Sequence, residues 1–146
     1  MDQPHYEFET TVSGHLFSFI SEGEQGSIEK RVQFSPMRGN VFNLAFGDWN
    51  ELEGKIDDMV VTNNGDMEQV LATVIEITRF FLSENIKISV SLTGSTPART
   101  RLYQMIINKN LDIIKADFDV AASRNGHWRS FEKNVNYESF MVSKLF

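Results

Sequence analysis

A chain of 146 residues that is 41% hydrophobic, with 12 Phe, is long enough to bury a core of its own. Its 14 Lys and Arg stand against 20 Asp and Glu, a net charge of −6, which disfavours broad adhesion to nucleic acid or anionic membrane but leaves room for a local basic patch. Cysteine is absent, which excludes disulfides and thiolate metal sites.

No apolar run approaches the roughly 20 residues that span a bilayer. The polar, acidic start Met1-Asp2-Gln3-Pro4-His5 is unlike a signal peptide, so a cytoplasmic location is expected. There is no repeat or linker, and one domain is expected over 1–146.

The first third reads as strands. Leu16, Ser18 and Ile20 alternate with Phe17 and Phe19, and Gly23 and Gly26 supply a turn. Ile28, Lys30, Val32 and Phe34 alternate with Glu29, Arg31 and Gln33. Residues 36–40 turn the chain, and 41–46 give a third strand. Short connections predict an antiparallel meander, with Tyr6 and Phe8 in a short edge strand before it. Residues 47–65 read as loop, with a short strand at 59–62.

Asp66 then caps a helix, and Gln69 completes a capping box. Met67, Val70, Leu71, Val74, Ile77 and Phe81 recur at helical spacing, and the helix ends near Asn85. Ile86, Ile88, Val90 and Leu92 alternate with polar residues in the cleanest strand of the chain. Its return after a helix makes it parallel to an earlier strand. Gly94 ends that strand. Thr96 caps a second helix with Pro97 at its first position, and Leu102, Met105 and Ile106 form its inner stripe. Ile114, Ala116, Phe118 and Val120 alternate as a fifth strand. Tyr137, Phe140, Met141 and Leu145 fit a short amphipathic helix. The expected fold class is α/β (α+β): a mixed five-stranded sheet, three antiparallel strands then αβαβ, with helices packed on it.

Three segments, Phe19-Ile20-Ser21-Glu22-Gly23, Thr62 to Glu68 and Ser91-Leu92-Thr93-Gly94-Ser95, together with that element order, resemble ribonuclease H-like enzymes. The first is similar to their first strand ending in an acid and Gly. Thr62-Asn63-Asn64-Gly65-Asp66-Met67-Glu68 is similar to the entry of their first long helix, and Ser91-Leu92-Thr93-Gly94-Ser95 to their strand ending in Thr-Asp-Ser. The resemblance implies a nuclease whose Mg²⁺ or Mn²⁺ ions are held by carboxylates on the first strand, the first helix and the fourth strand. Glu22 and Glu68 fall at the first two positions. Gly94 falls at the third and has no side chain, so the set is incomplete unless Asp48, Asp57, Asp58 or Asp66 substitutes. Glu22, Asp48 and Glu68 are the catalytic candidates on this alternative reading. The same acids equally suit loops, turns and caps.

Asn43-Leu44-Ala45-Phe46-Gly47-Asp48, Ile56-Asp57-Asp58, Asn64-Gly65-Asp66, Val70-Leu71-Ala72-Thr73-Val74 and the run from Gly94 to Tyr103 span nearly the full length. In these segments the chain also resembles an uncharacterised family of small bacterial proteins common in Bacteroidota. This resemblance implies membership and no activity.

The run from Gly94 to Tyr103 is the most informative for function. A strand ends on glycine and a helix begins, so unpaired N–H groups and the positive end of the helix dipole favour an anion. Arg99 in the first turn is opposed by that dipole by about 0.3–1 kcal/mol, so an internal acid or an external anion is expected to offset it. Arg99 and Arg101 are two apart and do not share a helix face. The three histidines, His5, His15 and His127, have no metal-ligand spacing, so no zinc site is expected. Trp128 follows an exposed Arg124-Asn125-Gly126 turn; it reads first as cover over the core edge, and second as a stacking group beside Arg124 and Arg129.

The reading that results is a non-enzymatic binding or protein-interaction module without a cofactor. Its expected anion or phosphate pocket is built from Gly94, Ser95, Thr96, Arg99 and Arg101. The expected partners are a phosphate-bearing ligand or nucleic acid, and a second copy of the chain in a homodimer, with no membrane partner. The metal-dependent nuclease is the alternative.

Overall fold

The computed structural model describes residues 4–57, 63–93 and 96–145. Among them are nine strands, paired mostly antiparallel, and three helices, a mixed α+β fold. The chain packs as two compact units. The first holds the described residues up to Ser35 and those of Ala45–Phe81; the second holds Pro36–Leu44 and those from Leu82 onward.

In the first unit the strand order is β1 (Glu9–Thr10), β2 (Leu16–Gly23), β3 (Gly26–Pro36) and the later part of β4 (Val41–Asn50), with β5 (Lys55–Asp57) antiparallel to the end of β4. Register follows from burial. Phe17 lies opposite Val32, Phe19 opposite Lys30 and Ser21 opposite Ile28, so one face carries Phe17, Phe19, Val32, Phe34 and Phe46. A slip of one residue in either β2 or β3 would turn that strand's buried set to solvent.

Helix α1 (Met67–Glu84) brings Val70, Leu71, Val74, Ile77 and Phe81 into the same core at the expected spacing. Phe34 and Phe81 stack with centroids 3.9 Å apart, and Phe17 meets Phe80 edge-on. Full burial of one such ring contributes about 2 kcal/mol.

In the second unit the first residues of β4 pair in parallel with β6 (Ser89–Leu92), Val41 opposite Ser89, which is the parallel return the sequence suggests. The remaining order is β6, β9 (Ser139–Lys144), β7 (Phe118–Arg124), β8 (His127–Ser130), all antiparallel. Val90, Leu92, Val120, Ala122, Phe140 and Val142 are buried, as are Tyr103, Ile106 and Ile107 of α2 (Pro97–Lys109) and Leu111 and Ile114 of α3 (Leu111–Asp117).

Several expectations are corrected here. The five strands are nine among the described residues, and β9 lies between β6 and β7, so the last step is not a parallel crossover. The tail is strand β9 rather than a helix: Phe140 and Val142 are buried while their neighbours are not, a period of two. Residues 114–117 are helical, because Leu111 and Ile114 share the inner side of α3; the strand begins only at Phe118, where the backbone becomes extended. The inner stripe of α2 is Arg99, Tyr103, Ile106 and Ile107, and Met105 faces solvent. The strand expected at 59–62 lies outside the described residues; β5 precedes it. Among the described residues, no helix is long and apolar enough to cross a membrane.

Candidate functional site

Helix α2 begins as its sequence dictates. Thr96 has extended backbone, and its Oγ1 accepts from the Arg99 N–H at 3.2 Å, with Pro97 following at the start of the helix. This cap has a consequence for anion binding. Pro97 has no N–H and that of Arg99 is taken, so two of the donors normally open at a helix N-terminus are gone. The first turn also carries no acid. Charge at this end therefore comes from arginine side chains more than from the backbone.

The two arginines part company. Arg99 is buried; its Nη2 donates to the Tyr103 hydroxyl at 3.4 Å and its guanidinium carbon lies 5.4 Å from the Tyr103 ring centroid, one helical turn on. Arg101 is exposed. Together with Thr93, Thr96 and Thr100 it lines a cleft of about 460 Å³, whose other wall brings Asn136, Tyr137 and Glu138. Gln104 also lines the cleft and fastens the walls: its Nε2 donates to Val135 O at 2.5 Å and its Oε1 accepts from Tyr137 N at 3.0 Å. Of the expected pocket residues, Thr96 and Arg101 meet on this cleft, Arg99 does not line it, and Gly94 and Ser95 lie outside the described residues. Asn136 and Glu138 had no signal in the sequence, since they come from a distant loop that has no motif.

The acids of the nuclease reading go elsewhere. Glu22 is exposed and accepts from the Ser27 hydroxyl at 2.8 and 2.7 Å across its hairpin. Asp48 pairs with the fully buried Lys30 at 2.6 Å. Glu68 stands exposed in the first turn of α1, where a negative charge suits the dipole. Asp57 lies opposite Asp48 in the β4–β5 register, and Asp58 lies outside the described residues. Among the described residues, no three His, Asp or Glu side chains gather as a metal would need.

Two of the three segments that suggested the nuclease, residues 19–23 and the described residues 63–68, nevertheless meet in a hydrogen-bonded knot of the first unit. Asn64 is fully buried; its Nδ2 donates to Gly26 O at 2.8 Å and to Ser21 Oγ at 3.2 Å, and its Oδ1 accepts from Gln25 N. Its backbone oxygen accepts from Glu24 N at 3.0 Å. Gly23 allows this approach, because a Cβ there would collide with that oxygen. Asp66 Oδ2 accepts from both Ser21 Oγ and the Tyr6 hydroxyl at 2.5 Å. Burial, and then the hydrogen bond to Asp66, raise the Tyr6 phenol above its ordinary value.

Trp128 is 49% exposed on β8, all four residues of which face solvent.

No curated protein and no solved structure matches this chain. A family model described as a family of unknown function (DUF6934) matches residues 2–145, and the chain belongs to that family.

Proposed function

We propose that the chain is a non-enzymatic binding module that takes an anionic, phosphate-bearing ligand in the cleft beside α2. The observation that supports this most is the exposed Arg101 on a cleft whose helix turn carries no acid of its own. Arg101 supplies the charge, and the Thr93 and Thr100 hydroxyls and Asn136 are the neutral polar groups at hand. Glu138 on the same cleft favours a ligand that carries hydrogen-bond donors beside its anionic group. Arg99 has a different part: packed on Tyr103, it holds the turn from which Arg101 projects.

The ribonuclease H-like likeness is read here as one of the chain's opening order only. The antiparallel strands before α1 and the parallel β4–β6 pair support it; β9 between β6 and β7 departs from it.

The test is calorimetric titration with inorganic phosphate and with a nucleoside monophosphate. Arg101→Ala is expected to weaken binding of either by about tenfold, the loss of one charge-assisted hydrogen bond, while circular dichroism stays that of the native chain. Equal affinity in the variant, or no binding by the native chain, would remove this reading.

A further inference from the structure

The β7–β8 hairpin carries a second surface, joined to the cleft through Glu138, whose Oε1 accepts from Asn125 N at 2.6 Å. Asn125 and Gly126 turn it with φ of 53° and 78°, the two positive values that a two-residue turn of this kind requires. The register sets Arg124 opposite His127, Ser123 opposite Trp128, Ala122 opposite Arg129 and Ala121 opposite Ser130. Just past the strand, Phe131 N donates to Val120 O at 3.0 Å. In an antiparallel pair, hydrogen-bonded and non-hydrogen-bonded positions alternate. Counting back from Phe131, Arg129 and His127 direct their backbone groups at β7, while Trp128 and Ser130 direct theirs outward. Among the described residues β8 ends the strand order, and all four of its side chains are exposed. The outward N–H and C=O groups of Trp128 and Ser130 are thus a template for one more strand.

Side-chain alternation says what that strand carries. Residues directly opposite share a face, so His127 and Arg129 lie on the face of Arg124, and Trp128 lies on the other. A base stacked on Trp128 would have its phosphates on the wrong side for Arg124 and Arg129. A strand added at the edge reaches both faces at once.

We propose that β8 binds an extended peptide by strand addition, with an apolar residue opposite Trp128 flanked by acidic residues beside His127 and Arg129. Charge complementarity selects this occupant: Arg124 and Arg129 share one face of the hairpin in a chain whose net charge is −6. Charge also disfavours a second copy. The two-fold pairing that uses both Trp128 and Ser130 sets Arg129 opposite its own copy, and like charges directly opposite are destabilising.

The experiment is amide hydrogen exchange by NMR on the full chain, with a short capped peptide of alternating Glu and Val as the probe. The Trp128 and Ser130 amides should slow by at least about tenfold on adding the probe, while that of Arg129, already turned to β7, changes little. A Lys–Val peptide should bind about tenfold more weakly or worse, and Arg129→Glu should reverse the preference between the two. Unchanged exchange at Trp128 and Ser130 would overturn the proposal. So would their protection by oligothymidylate in place of the peptide, or by raising the protein concentration alone, which would identify nucleic acid or a second copy as the occupant.

Discussion

The loop at 63–66 and the entry to α2 are both short polar runs that lead into a helix, yet they direct their polar groups in opposite ways. Asn64 and Asp66 turn inward and are held by Ser21, Tyr6 and the β2–β3 hairpin. Among the described residues at the entry to α2, Arg99 is buried, while Arg101 is exposed on the cleft. Composition does not separate the two runs. What separates them is whether the neighbouring strands present donors and acceptors of their own. In the first unit Ser21, Gln25 and Gly26 do, and the loop becomes a fastening. In the second unit Arg101 is exposed on the cleft it shares with Thr93, Thr96 and Thr100.

The contrast predicts that stability resides in the polar residues of the first unit. The largest effect is expected at the Lys30–Asp48 pair, where Lys30 is fully buried. Asp48→Ala removes the carboxylate 2.6 Å from the buried Lys30 ammonium, at a cost of about 3 kcal/mol, the lower end for broken buried pairs because the Asp48 side chain is 15% exposed. The double variant Lys30→Met, Asp48→Leu should regain most of that loss, since an apolar pair needs no desolvation. Urea unfolding of the three proteins measures both. A single-variant cost below about 1 kcal/mol would show that water screens the pair as it does at a surface, and the contrast with the α2 entry would fail there.

Asn64→Ala comes next, at about 2 kcal/mol. It strips partners from Gly26 O and Gln25 N, both near enough to solvent for water to replace part of what is lost. The unfolding midpoint of Arg101→Ala should stay at the native value, which sharpens the comparison to one residue on each side. If Asn64→Ala were silent too, the knot would be an incidental contact rather than a fastening.

Much of the frame was legible because burial writes a period into the sequence. Phe17 and Phe19 in β2, Val32 and Phe34 in β3 and the stripe of α1 follow directly from it. Strand β8 was not legible, because all four of its residues are exposed and no period exists to read. The tail misled because Tyr137, Phe140 and Met141 also fit helical spacing, and only neighbours on both sides of β9 decide for a strand. At the site, Thr96 as a cap and the divergence of Arg99 from Arg101 follow from helix geometry. The second role of Asp66 depends on Tyr6 and Ser21, 60 and 45 residues away, and no local rule anticipates it.

Tyr6 gives the smallest effect and the most specific one. Its hydroxyl donates to Asp66 at 2.5 Å and accepts from Glu22 N at 3.1 Å, while its own N–H donates to Thr73 Oγ1 at 2.9 Å. Tyr6→Phe keeps the ring and the backbone bond and removes the hydroxyl, at about 1 kcal/mol near neutral pH. Burial and the Asp66 carboxylate raise the phenol above its ordinary 10.0, so the native state holds this proton more tightly than the unfolded chain. The stabilisation is therefore complete below pH about 10 and fades as pH climbs through the folded value. The other tyrosines and the lysines titrate in both proteins, so the quantity to follow is the difference between their stability curves. That difference should be constant at neutral pH and narrow in the alkaline range, as ionisation of the native phenol removes the donor from Asp66. Curves that stay parallel through that range would mean the hydroxyl keeps its proton no better than one in water, and the inward-facing knot would then be open to solvent at its Tyr6 end.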